Sequence, residues 1–246
     1  MEKGKTKIFA HRGSKGTHPE NTIPAFREAL RHRIDGIELD VHLSKDGELV
    51  VIHDEKVDRT TNGSGRVGSM TLQELKSLDA GSWLSWEFVN TTIPTLDEVL
   101  ELMRGTGITL NVEIKSDIIP YKGIEEKVLD ALARYDYLDK TIISSFNHYS
   151  VKRIQELNPK VKTAILYMEP LYEPWVYAKT VGASALHVYL PVAYMDMVKE
   201  APAHGFPVRV FTVNKEKDMR KLMEAGVDTI MTDYPELAVS IRDADV

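Results

Sequence analysis

Short apolar runs rich in Val and Ile alternate along the chain with amphipathic stretches of helical length, the pattern of a parallel sheet with crossover helices. Strands are predicted at TKIFA, GIELDVHL, ELVVI, ITLNVEI, TIISSF, KTAILY, SALHVYL, PVRVFTV and DTIMTD, with helices such as 22–32, 95–104, 121–135 and 215–224 between most of them. Nine strands are one more than a closed barrel needs. The excess resolves at HLSKDGELVVI, where residues 44–47 leave too little chain for a parallel crossover, so residues 48–52 should return antiparallel.

Eight parallel strands remain, and an eightfold βα repeat in 246 residues predicts an α/β chain forming one TIM (β/α)8 barrel over residues 1–246. A doubly wound open sheet is the second choice. Residues 55–92 break the rhythm with RTTNGSGRVGSM and GSWLSWEF, and read as an inserted loop or small cap after the second strand. Trp83 and Trp86 are candidates to wall a pocket there, or to anchor the insertion.

Composition narrows the partners. Lys and Arg total 31 against 37 Asp and Glu, a net charge of -6 without a basic run, so nucleic acid is not an expected partner. The opening MEKGKTKIFA has no signal-peptide core, and nowhere do roughly 18 apolar residues run together, so no membrane anchor is expected and a cytoplasmic setting is. The chain has no cysteine, which restricts any metal site to oxygen or imidazole ligands.

Gly63, Gly65 and Gly68 satisfy G-x-G-x-x-G, yet neither a buried strand precedes them nor a helix follows, so a turn is the better reading than a dinucleotide site. The strand ends carry more chemistry. IFA runs into His11 and Arg12; Glu38 and Asp40 stand two apart and so point the same way; the hairpin arm ends at His53 and Asp54; Glu113 and Lys115 are again two apart. Closed in sequence order, the strands would bring these groups to one rim.

Carboxylates gathered there repel unless a cation compensates them. Glu38, Asp40 and Glu113 offer three hard oxygen ligands for one divalent ion, Mg²⁺ or Ca²⁺, with Mn²⁺ a further candidate. Lys115 and the planar fork of Arg12 suit an anionic group such as a phosphate. Taken singly, each residue also has an ordinary reading: alternating acids as a solvated face, Glu113 with Lys115 as an ion pair, His53 and His42 as rim histidines. Asn21 reads as the cap of the following helix, and His187 as an occupant of a strand end near the cavity.

AHRGSKGTHPENTIPAFREAL, GIELDVHLSKDGELVVIHDEKVDRTTNGSGRV and NVEIK, with LDAGSW, IPTLDEVL, SSFN and GVDTIMTDYP in order behind them, resemble bacterial glycerophosphodiester phosphodiesterases over nearly the whole chain. The resemblance implies a TIM barrel with an insertion after the second strand. It also implies His11 and His53 as paired catalytic histidines, Glu38, Asp40 and Glu113 as divalent-metal ligands, and Arg12 and Lys115 as phosphate-holding groups. The implied substrate is a small glycerophosphodiester, such as a deacylated phospholipid head group, cleaved to glycerol 3-phosphate and an alcohol. His11 is taken as the base and His53 as the acid, with either water or the substrate's own glycerol hydroxyl attacking.

One departure is Phe211 in FTVN, where relatives frequently carry tryptophan; an aromatic pocket wall stays and an indole N–H is lost. Two alternatives stand beside this reading. One is a lysophospholipase D-type phosphodiesterase entered over Trp83, Trp86 and Phe88; the other is a catalytically silent barrel that binds a phosphorylated ligand.

Overall fold

A computed structural model describes residues 5–194 and 196–244; residues 1–4, part of the opening stretch read above for a leader, lie outside the described residues. Strand β1 (Lys7–His11) is followed by helix α1 (Ile23–Ala29), then by β2 (Gly36–Leu43) and the short arm β3 (Leu49–Val51). Helices α2 (Leu72–Lys76) and α3 (Leu96–Met103) precede β4 (Thr109–Ile114), and α4 (Ile124–Arg134) leads to β5 (Thr141–Ser145). The alternation continues through α5 (His148–Leu157), β6 (Lys162–Tyr167), α6 (Pro174–Val181) and β7 (Ala185–Tyr189). It closes with α7 (Met197–Glu200), β8 (Val208–Phe211), α8 (Glu216–Ala225), β9 (Thr229–Thr232) and α9 (Pro235–Ala244).

The sheet runs β1-β9-β8-β7-β6-β5-β4-β2, and β1 pairs with β2, so eight parallel strands close into a barrel. The arm β3 pairs antiparallel with β2, Val50 opposite His42. Gly47 makes that return possible: its φ of 84° is left-handed, and its N–H donates to the Ser44 carbonyl at 3.0 Å. The expected TIM barrel with its extra hairpin strand is therefore the observed fold, and the open sheet is not.

Two apolar layers hold the barrel. Outward-facing strand residues such as Ile37, Leu39, Val112 and Val188 meet the buried faces of the helices in one large cluster. Inward-facing Phe9, Ile142, Ala164, Ala185 and Met231 fill the interior, so the barrel is plugged beneath its rim. Capping boxes start α2 and α3: the hydroxyls of Thr71 and Thr95 accept from the N–H of Glu74 and Glu98, whose carboxylates bond back.

Between β3 and α3 the chain builds its own small apolar cluster from Val50, Ile52, Val57, Val67, Leu75, Ala80 and Ile93. The glycine-rich turn folds back within it, the Val57 N–H donating to the Gly65 carbonyl at 3.0 Å. This segment sits on the side of the barrel mouth where β2 ends.

Candidate active site

Parallel register brings the acids together. His11 of β1 stands opposite Glu38 of β2, and Asp40 of β2 opposite Glu113 of β4; His11 is the last residue of β1 and Glu113 the last but one of β4. One ligand oxygen from each of Glu38, Asp40 and Glu113 lies within 4.8 Å of the others, and all three residues are buried.

Such a cluster is electrostatically frustrated by itself. Burial, then the charges of Asp40 and Glu113, push Glu38 well above the usual glutamate range. Burial also raises Glu113, against the pull of Lys115. For Asp40 burial acts in the same sense but is outweighed by Arg12, Lys115 and the amide of Asn21, which hold it below the usual carboxylate range. Asp40 Oδ1 is buried without a hydrogen-bond partner. Hard oxygen donors, excess negative charge and an unpartnered buried carboxylate oxygen together fit a divalent cation.

Cations already flank the cluster. Lys115 Nζ donates to Glu113 Oε1 at 2.9 Å, and the two neighbouring acids hold it charged despite burial. Arg12 takes a left-handed φ of 56° just past β1, which turns its backbone N–H onto Glu38 Oε2 at 3.1 Å and sets its guanidinium 3.3 Å from Asp40 Oδ2. Gly13 follows at φ 81°; a Cβ there would lie 2.7 Å from the backbone of Ala25, so the tight HRG turn requires glycine.

Each of the two histidines has its Nδ1 on a carboxylate. His11 Nδ1 donates to Asp233 Oδ1 at 2.7 Å, and His53 Nδ1 to Asp54 Oδ1 at 2.6 Å. Ionised carboxylates only accept, so in both rings Nδ1 carries a proton. His11 Nε2 lies 3.9 Å from Glu38 Oε2, and His53 Nε2 lies 3.4 Å from Lys115 Nζ. Burial and then the neighbouring Arg12 depress the His11 pKa against the pull of Asp233, which keeps its imidazole neutral. Asp233 is itself fixed by Asn214, whose Nδ2 donates to it at 2.7 Å. Replacing Asp233 with Asn should lower kcat about 10- to 100-fold through a misoriented ring, read by steady-state kinetics with an unchanged circular dichroism spectrum; wild-type kcat would show that His11 does not depend on this acid.

A cavity of about 220 Å³ opens over these groups. Its polar lining includes His11, Arg12, Glu38, His53, Asn111 and Glu113, and its apolar lining includes Phe146, Leu166, Tyr189 and Phe211. Phe211 meets Phe146 edge-on at 6.0 Å between ring centres.

Against this geometry the comparisons are specific. The model of the glycerophosphoryl diester phosphodiesterase family matches residues 11–237. The chain belongs to this family. Among its members, a glycerophosphodiester phosphodiesterase of Caldanaerobacter subterraneus subsp. tengcongensis is 46% identical over 96% of this chain and 98% of its own. Another, from Bacillus altitudinis, is 44% identical over 97% and 98%. A phosphodiesterase of Oleispira antarctica, solved in complex with the product sn-glycerol-3-phosphate, superposes with a TM-score of 0.88 at 33% identity, covering 97% of both chains. As a glycerophosphoryl diester phosphodiesterase family member, the chain is a phosphoric diester hydrolase. Among the described residues no helix is long and apolar enough to cross a membrane.

Several expectations for this family member change on folding. Trp83 and Trp86 do not line the cavity. Trp83 Nε1 donates to the Ala80 carbonyl at 3.0 Å, a contact within the insertion, and Trp86 is 81% exposed because the turn it begins packs Phe88, not Trp86, onto His18. Asn21 does not cap α1. Thr22 does, accepting from the Ala25 N–H, while Asn21 adopts φ 56° and turns its Nδ2 onto Asp40 Oδ2 at 2.8 Å. The amide thus serves the acid cluster, for which a left-handed Asn is well suited.

His42 is no rim residue either: it lies within β2, fully buried, with Nε2 donating to the His53 carbonyl at 3.0 Å and Nδ1 accepting from the Tyr121 hydroxyl at 3.1 Å. It lies under the insertion and supports the backbone that presents His53. His187 lies outside the cavity lining, in mid β7, its Nε2 accepting from Arg209 at 3.1 Å. Asp233 and Asn214, which sequence reasoning left without a role, were visible only as a polar residue directly after β9 and one three positions past β8.

Proposed function

We propose that the chain hydrolyses small glycerophosphodiesters to glycerol 3-phosphate and an alcohol, using a divalent cation, Mg²⁺ or Ca²⁺ with Mn²⁺ as a substitute, held by Glu38, Asp40 and Glu113. The observation that carries this reading is the pair of imidazoles, each with Nδ1 on its own carboxylate, beside one buried acid cluster. The product named for the Oleispira antarctica relative supports glycerol 3-phosphate as the product here.

A phosphodiester is an anion that repels an oxygen nucleophile until its charge is compensated. Arg12 and Lys115 would bind its non-bridging oxygens, and a bound cation would supply Lewis-acid polarisation of the phosphoryl group. Neutral His11 would accept the proton of the attacking hydroxyl at Nε2. His53, protonated at Nε2 in the substrate complex, would hand that proton to the leaving alkoxide while Asp54 holds its Nδ1 proton. The apolar lining, including Phe211, would exclude water from the side of the cavity away from the charges.

A panel of glycerophosphodiesters assayed for glycerol 3-phosphate release, after complete chelation and then with Mg²⁺, Ca²⁺ or Mn²⁺ restored, tests substrate and metal together. Activity should vanish on chelation and return with one or more of the ions. Undiminished turnover in chelator would remove the cation from the mechanism, and lysophosphatidylcholine cleaved in preference to glycerophosphocholine would favour the lipid substrate instead.

A further inference from the structure

Arg59 lies in the inserted segment, and neither the barrel nor the acid cluster explains it. Its guanidinium makes two paired contacts at once. Nε and Nη2 donate to Asp54 at 2.7 and 3.0 Å, while Nη1 and Nη2 donate to the two oxygens of Glu20, each at 2.8 Å. Each of these carboxylates continues to a residue of the cavity. Asp54 Oδ1 accepts from His53 Nδ1 at 2.6 Å, and Glu20 Oε1 accepts from Arg12 Nη1 at 2.8 Å. An unbroken path of charge-assisted hydrogen bonds therefore runs from His53 through Asp54, Arg59 and Glu20 to Arg12. Arg59 itself does not line the cavity and touches none of Glu38, Asp40 and Glu113.

We propose that Arg59 is a positioning residue, a clamp carried by the insertion that locks the proton-transfer group His53 and the phosphate-binding group Arg12 into one frame. The role rests on the reading of His53 and Arg12 given above. It also explains what the insertion contributes to a barrel whose ligands all come from strands. Glu20 is only 2% exposed at its side chain, so its charge depends on the two guanidiniums that grip it. The fork geometry is what a lysine lacks: one ammonium satisfies a point contact, not two bidentate pairs facing different ways.

The test is Arg59→Ala and Arg59→Lys, each compared with wild type for kcat, KM, thermal midpoint and the side-chain ¹H–¹⁵N signals of His53 in metal-free protein. Both variants should lose about 10- to 100-fold in kcat, the usual cost of removing a partner that orients a working side chain. KM should rise less than kcat falls. The hydrogen-bonded Nδ1–H signal of His53 should disappear in both. In an Asp54→Asn background, Arg59→Ala should cost less than it does alone, because the two act through one contact. Arg59→Lys with wild-type kcat and an unchanged His53 signal would overturn the clamp, as would an activity loss in Arg59→Ala that merely tracks its unfolded fraction. Should the wild type release no glycerol 3-phosphate from any diester, the functional reading fails, and the His53 signals still decide the clamp.

Discussion

His11→Ala is expected to lower kcat by about 10²- to 10⁴-fold, the range for removing a positioned general base, with the fold intact. The ring is buried at the end of β1, but its partners are polar, and the apolar plug of Phe9 and Met231 lies on the same strands beneath it. The loss should fall on kcat and kcat/KM alike, since substrate binding is assigned to Arg12 and Lys115 and not to this imidazole. The wild-type pH profile supplies a second reading of the same group. Because burial and Arg12 lower the His11 pKa below its ordinary 6.5, the acid limb of kcat/KM should fall below that value, and a bound cation nearby moves it further the same way. An acid limb above 6.5, or an Ala variant with near-native turnover, would remove His11 as the base.

The second large effect concerns stability and its dependence on pH. Without a cation, folded Glu38 and Glu113 hold their protons to higher pH than the unfolded chain does, where glutamate titrates near 4.5. For a group with a raised folded pKa, the stability it contributes is complete below the unfolded value and lost as pH rises through the folded one. The metal-free protein should therefore lose stability from these two residues as pH rises above 4.5. Asp40, lowered instead, contributes in the opposite sense and in a more acidic window. A divalent cation binds the deprotonated cluster, so the rise in thermal midpoint produced by a fixed excess of Mg²⁺ or Ca²⁺ should grow from about pH 5 to about pH 8, with proton release on binding. Glu113→Gln should abolish most of that rise. A midpoint shift independent of pH, or one retained in Glu113→Gln, would place the ion elsewhere.

Legibility differed from residue to residue for physical reasons. The barrel was readable because βα periodicity is local: each strand is buried on both faces and each helix on one, and the hairpin at residues 44–47 declared itself by being too short for a crossover. Glu38 and Asp40 were readable as a pair because alternation along one strand is also local. Asn21 and His42 went astray because their surroundings are not: a helix cap and a rim position are sequence-local assignments, and here Asp40 and the His53 carbonyl claimed the side chains instead. As pocket walls the tryptophans were misplaced, because exposure in a loop depends on which face of a single turn packs, and Phe88 took that place.

The sequence by itself determined the eightfold alternation, the hairpin, and the types of group available at the strand ends. Periodicity and side-chain chemistry need no partner to be expressed. Only the tertiary structure decided which of those groups meet. Closing β1 onto β2 set His11 against Glu38, and the parallel register of β2 with β4 set Asp40 against Glu113. It alone brought Asp233 to His11, 222 positions away, and Arg59 to Glu20, 39 positions away. Such contacts depend on the distance between strand ends in a closed barrel, a quantity that no local stretch of the chain encodes.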